Sequence, residues 1–116
     1  MCDRLLEFAS RVIDLTEKLP RTPAGRHIAG QLLRSGTSPA ANYEEVCAAE
    51  SRADFVHKLR TVLKELRESR LWIRLIAKRT LLPEAVTQPL ITEALELCNI
   101  VGKSIATATA RKGNRV

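Results

Sequence analysis

Aromatic side chains are nearly absent from this chain: two Phe, one Tyr and one Trp, 3% of 116 residues. A core must be made from Leu, Ile, Val and Ala, which suits helix packing better than a β-sandwich. Base stacking on a platform of rings has little to rest on. Glycine and proline number five each, and they sit where they punctuate rather than in low-complexity runs. The three cysteines, Cys2, Cys47 and Cys98, are odd in number and match no CxxC spacing. No secretory pattern precedes them, and the N-terminus is charged at Asp3, Arg4 and Glu7. The expectation is a reduced, cytoplasmic protein whose thiols act as small apolar groups. No apolar run approaches the ~20 residues that span a bilayer, so no membrane association is expected.

What is present is helical periodicity. Length fits one domain, and 45% apolar with 28% charged residues is enough to bury a core. Leu5, Phe8, Val12, Leu15 and Leu19 repeat at three and four residues, one buried stripe of a helix over about Asp3–Leu19 that Pro20 ends. Thr22-Pro23 is a start signal for a second helix. It is expected to run to Glu50 with a bend at Gly36–Pro39. Ser51 and Asp54 resemble a capping box. They open a third helix, Arg52–Leu81, with a seam of Phe55, Leu59, Val62, Leu66, Ser69, Ile73 and Ile76. Leu82-Pro83 closes it. A fourth helix is expected over Pro89–Arg111, capped by Thr87 and continuing the stripe through Leu90, Ala94, Leu97, Val101 and Ile105. Short connections make this all-α: an up-down-up-down antiparallel four-helix bundle with a bent second helix. The bundle occupies residues 1–110 and a basic tail residues 111–116.

Net charge is +6, and its location is informative. Arg52–Arg79 holds nine basic and three acidic residues, and the ten of each sign elsewhere cancel. On a wheel of ~100° per residue, Arg60, Lys64, Arg67, Arg74 and Lys78 share one narrow sector away from the seam. Such a row suits a phosphate backbone, each neutralised phosphate adding salt-dependent affinity. The alternative is a solvated face paired with acids of a neighbouring helix, such as Glu93 and Glu96.

In an antiparallel pair turning near Ser51, Arg34, Ser38 and Asn42 come to lie across from Glu65 and Glu68. Two carboxylates one turn apart suggest acid/base or metal chemistry. The structural alternative is a polar cluster that satisfies the groups freed by Pro39 and pairs the Arg34 charge. His27 and His57 sit on different helices without an i, i+4 partner. Cys47 and His57 together make neither a zinc site nor a nucleophile pair. No cofactor is expected, and no catalytic constellation appears. Leu71, Trp72 and Leu75 lie off the seam, either as a broad core face or as a subunit interface.

The segments QLLRSGTSPAANYEE, SRADFVHKL and LKELRESRLWI resemble the bacterial 23S rRNA intervening-sequence proteins over about Leu19–Leu97. That family is in turn similar to the accessory variability determinant of diversity-generating retroelements, a basic pentamer that binds nucleic acid and a reverse transcriptase. The resemblance implies a four-helix protomer, a homopentamer and no enzymatic activity. Three functions are compatible with the residues: a nucleic-acid or reverse-transcriptase accessory, a scaffold without nucleic acid, or an enzyme. The last has no visible chemistry.

Overall fold

The structure, a computed structural model, describes the backbone of residues 1–113 and the side chains of residues 1–110. It contains four helices: α1 Cys2–Glu17, α2 Pro23–Cys47, α3 Arg52–Lys78 and α4 Glu84–Gly113. α1 packs on α2, α2 on α3 and α3 on α4, while α1 and α4 meet more lightly. The result is an elongated four-helix bundle, 54 × 22 × 20 Å.

Local chemistry sets most boundaries. The Thr22 hydroxyl accepts from Gly25 N at 3.1 Å, with Pro23 in the first turn, where its missing N–H costs nothing. Ser51 caps α3 by accepting from Asp54 N at 3.1 Å, and the Asp54 carboxylate accepts from Glu50 N at 3.2 Å. The reciprocal bond therefore falls one residue earlier than in a standard capping box. α3 ends with Thr80 N donating to the Ala77 carbonyl and Leu81 N to the Ile76 carbonyl. This is a Schellman closure in which Thr80, at φ 53°, occupies the left-handed position where glycine is usual.

Three boundaries differ from expectation by three residues or more, the end of α3 among them, at Lys78 and not Leu81. α2 stops at Cys47, and a turn fills the space to Ser51. α4 starts at Glu84, five residues before Pro89, because Val86 N and Thr87 N both bond to the Pro83 carbonyl. Thr87 is consequently not a cap. It is fully buried, and its hydroxyl has no partner among the described residues. The tail expected from Arg111 begins inside α4, and its last residues, 114–116, lie outside the described residues.

The core is aliphatic. Leu5, Phe8 and Val12 of α1, Leu32 of α2, Leu59, Val62, Leu66, Ile73 and Ile76 of α3, and Leu90, Ala94 and Leu97 of α4 are buried. Phe55, expected in the seam, is only half-buried. It stands at the end of the bundle, where an open groove runs between the α2–α3 turn and the Ile100–Ala108 stretch of α4. Gly36 packs tightly against α1: a Cβ there would lie 2.7 and 2.8 Å from the two γ-carbons of Val12.

Candidate nucleic-acid interface

The five cations of the stripe are all exposed along the outer side of α3. None of them forms an ion pair among the described residues. The acids that sequence reasoning offered as their partners are taken: Arg4 of α1 holds Glu93 through two bonds of 2.8 Å and Glu96 through one of 2.7 Å. Those bonds hold the Glu93 carboxyl below its ordinary range, against the opposing effect of its burial. Leu71 falls within the same sector of the wheel as the cations and is 56% exposed. The stripe is therefore basic with an apolar centre. Arg67, Arg70, Leu71 and Arg74 border a crevice against Leu95, Cys98, Asn99 and Gly102 of α4.

The polar cluster between α2 and α3 divides into separate parts. Arg34 donates to Glu65 at 3.0 Å and to Glu68. Glu68 also accepts from Trp72 Nε1 at 3.3 Å. Ser38 and Asn42 do not join them. Asn42 Nδ2 donates to Ser38 Oγ at 2.7 Å within α2, because an i, i+4 bond on one helix forms more readily than a bond across two. Deeper in the same interface Ser35 and Ser69, both fully buried, place their hydroxyls 3.2 Å apart, and Ser69 donates to the Glu65 carbonyl at 2.8 Å. That pair was missed as a unit. Its signal was a serine interrupting the apolar seam of α3 and another opposite it in the hairpin. With Arg34 on both carboxylates, this is a structural ion-pair site.

Leu71, Trp72 and Leu75 do not form one open patch. Trp72 and Leu75 are half-buried against the core, and the Trp72 ring meets His27 edge-to-face with centroids 5.8 Å apart. Leu71 alone stands out. No cluster of three or more His, Cys, Asp or Glu side chains able to hold a metal occurs among the described residues. The cysteines are free: Cys47 is exposed, whereas Cys98 lies in the core, where burial pushes its thiol pKa up. No described helix is long and apolar enough to cross a membrane.

Fold and surface together define a small basic four-helix protein whose distinguishing feature is an exposed cationic helix. The chain belongs to the 23S rRNA-intervening sequence protein family, whose model matches residues 1–103. It is similar to a crystal structure from Bacteroides thetaiotaomicron, a protein of unknown function from the S23 ribosomal protein family. The two share 33% identity with a TM-score of 0.83, over 90% of this chain and 96% of that one. No curated protein matches the chain.

Proposed function

We propose that the protein is a non-enzymatic homo-oligomer that binds RNA or DNA through Arg60, Lys64, Arg67, Arg74 and Lys78. It would act as a ribonucleoprotein or reverse-transcriptase accessory, with a pentamer the assembly implied by resemblance. The observation that carries the reading is the row of five exposed cations on one rigid helix, all without acidic partners among the described residues. Near-whole-turn spacing keeps their charges aligned, so their potentials add along the helix. No base-reading element accompanies them, so binding is to backbone phosphate with little sequence preference. The second reading is a protein scaffold. Its support is Leu71, a large apolar side chain exposed in the middle of the row.

The test is a salt titration of binding to labelled single- and double-stranded RNA and DNA. Affinity is expected to fall steeply as salt rises, by roughly 0.7–0.9 log units per log of salt for each phosphate neutralised. The Arg67→Gln/Arg74→Gln variant should reduce the steepness by up to about two such increments. No binding at low salt, or an unchanged slope in the variant, would leave the scaffold as the better account.

A further inference from the structure

Two of the three cysteines meet at one end of the bundle. α1 and α2 form an antiparallel hairpin, and its register is set where Gly36 packs on Val12. Counting outward from that contact, Cys2 lies ten residues before Val12 and Cys47 eleven residues after Gly36. At ~1.5 Å of rise per residue these are roughly 15 and 16.5 Å of helix, so the two cysteines reach the same level. Eleven residues is also close to three whole turns of ~3.6 residues, so Cys47 lies on the face of α2 that Gly36 turns to α1. On α1, Cys2 stands nearly two turns before the buried Ala9, on its flank of the helix, and away from Arg4, which is turned onto α4.

The side chains complete what the register begins. The Cys2 and Cys47 thiols are in hydrogen-bonding contact. Tyr43 stands one turn before Cys47 and is half-buried. Its burial, then the charges that Cys47 and Cys2 carry when ionised, push its hydroxyl pKa up, so all three groups share this end of the α1–α2 seam. Cys2 is half-buried and Cys47 exposed. An oxidant in solution therefore reaches Cys47, and the sulfur it oxidises has a second thiol at hand. Cys98 is different: it is buried on α4, and burial pushes its thiol pKa up. Cys98 fits the expectation of a cysteine used as a small apolar group, and the other two do not.

We propose that Cys2 and Cys47 are a reversible disulfide site, closed by hydrogen peroxide and opened by a dithiol. The Cys47 sulfur attacks a peroxide oxygen. An S–O bond forms, the O–O bond breaks, and Cys47 becomes a sulfenic acid as one water leaves. The Cys2 sulfur then attacks the Cys47 sulfur. The S–S bond forms, the S–O bond breaks, and the departing hydroxide takes the Cys2 proton and leaves as a second water. The two sulfurs together lose two electrons, and the peroxide takes them. Cys2 opens α1 and Cys47 ends α2, so the bond ties the free end of the hairpin and constrains the unfolded chain over that whole loop. The site does not depend on nucleic-acid binding.

Hydrogen peroxide added to the reduced full-length chain tests the site, read by mass spectrometry, denaturing electrophoresis without reductant, and thermal unfolding. Wild type should lose two hydrogens, keep one titratable thiol in denaturant, run as a single chain and yield a peptide pair joining Cys2 to Cys47. Its melting temperature should rise by on the order of 10 °C and return when dithiothreitol is added. Cys2→Ser and Cys47→Ser change residues outside the buried core, so both should fold like wild type and show no such rise. In Cys2→Ser the sulfenic acid on Cys47 has no thiol to meet and should be trapped by dimedone. Disulfides between chains in place of the internal one, oxygen gained without loss of hydrogen, a linkage through Cys98, or a rise that survives in Cys47→Ser would overturn the proposal.

Discussion

The close packing of α2 on α1 makes a quantitative prediction at Gly36. On helix propensity alone, Gly36→Ala in the middle of α2 should stabilise by about 0.8–1 kcal/mol. The structure predicts the opposite sign. The new methyl would sit 2.7 and 2.8 Å from the γ-carbons of Val12, against the roughly 3.5–4.0 Å at which carbons pack comfortably. Val12 is fully buried, and a β-branched side chain in a helix has essentially one rotamer to offer. Relief must come from moving α1, and overpacking of this kind costs about 1–3 kcal/mol. The net expectation is a loss of roughly 0–2 kcal/mol after the propensity gain. Val12→Ala alone should cost about 2 kcal/mol, from two lost methyl groups and the cavity they leave. In the double variant the new methyl enters that cavity. The remaining approach, 3.1 Å to the Val12 Cβ, is relieved by a shift of tenths of an ångström. The two changes should therefore couple favourably by at least about 1 kcal/mol. Urea unfolding of the four proteins by circular dichroism closes the cycle. A stabilised Gly36→Ala, or strict additivity, would refute the proposed contact.

Two other predictions concern single sites. Thr80→Gly removes a β-branched residue from a left-handed backbone position and should stabilise by about 0.5–1 kcal/mol, the strain relieved exceeding the entropy added to the unfolded chain; a lowered urea midpoint would contradict it. Glu93, held below the ordinary carboxylate range by Arg4, contributes stability that is present above the usual carboxylate pKa and lost as pH falls through the depressed native value. Arg4 is 40% exposed, so the contribution is small and salt-sensitive. Glu93→Gln should melt below wild type at neutral pH and converge with it in acid, and a gap that persists at low pH would show that the effect is not electrostatic.

Much of this fold was legible because its signals are local. The Ser51–Asp54 start of α3 and the Thr22-Pro23 start of α2 need only neighbouring residues, and the α3 seam repeats often enough to identify itself. The start of α4 is not legible from Pro89, which resembles a first-turn proline but lies five residues inside the helix. Yet extending the Leu97–Ala94–Leu90 stripe back by three residues lands on Thr87, which is buried on that stripe. Periodicity carried the better information there, and Leu82-Pro83 serves as both the stop of α3 and the start of α4. The polar cluster shows a second kind of limit. Hairpin arithmetic placed Arg34 correctly beside Glu65 and Glu68. It does not reveal that Ser38 is occupied by Asn42 on its own helix, because the position of a hairpin turn specifies proximity and not which of two bonds forms.

The least legible feature was where the charges of α1 point. Asp3, Glu7, Asp14 and Glu17 are interleaved with Arg4, Arg11 and Lys18, so the segment looks nearly neutral in sequence. Packing Leu5, Phe8, Val12 and Leu15 inward turns Arg4, Arg11 and Lys18 toward α4, where Arg4 finds Glu93 and Glu96. Asp14 borders the same crevice as Arg11 and Lys18, while Asp3, Glu7 and Glu17 are exposed on the outer surface of α1. On α3, Arg34 reaches across from α2 to take Glu65 and Glu68, and the stripe is left as cations around Leu71. Each arginine that neutralises acids inside the protomer removes a possible internal partner from an outward row. The ion pairs that join α1 to α4 and α2 to α3 therefore leave the outward cations of α3 without acidic partners among the described residues.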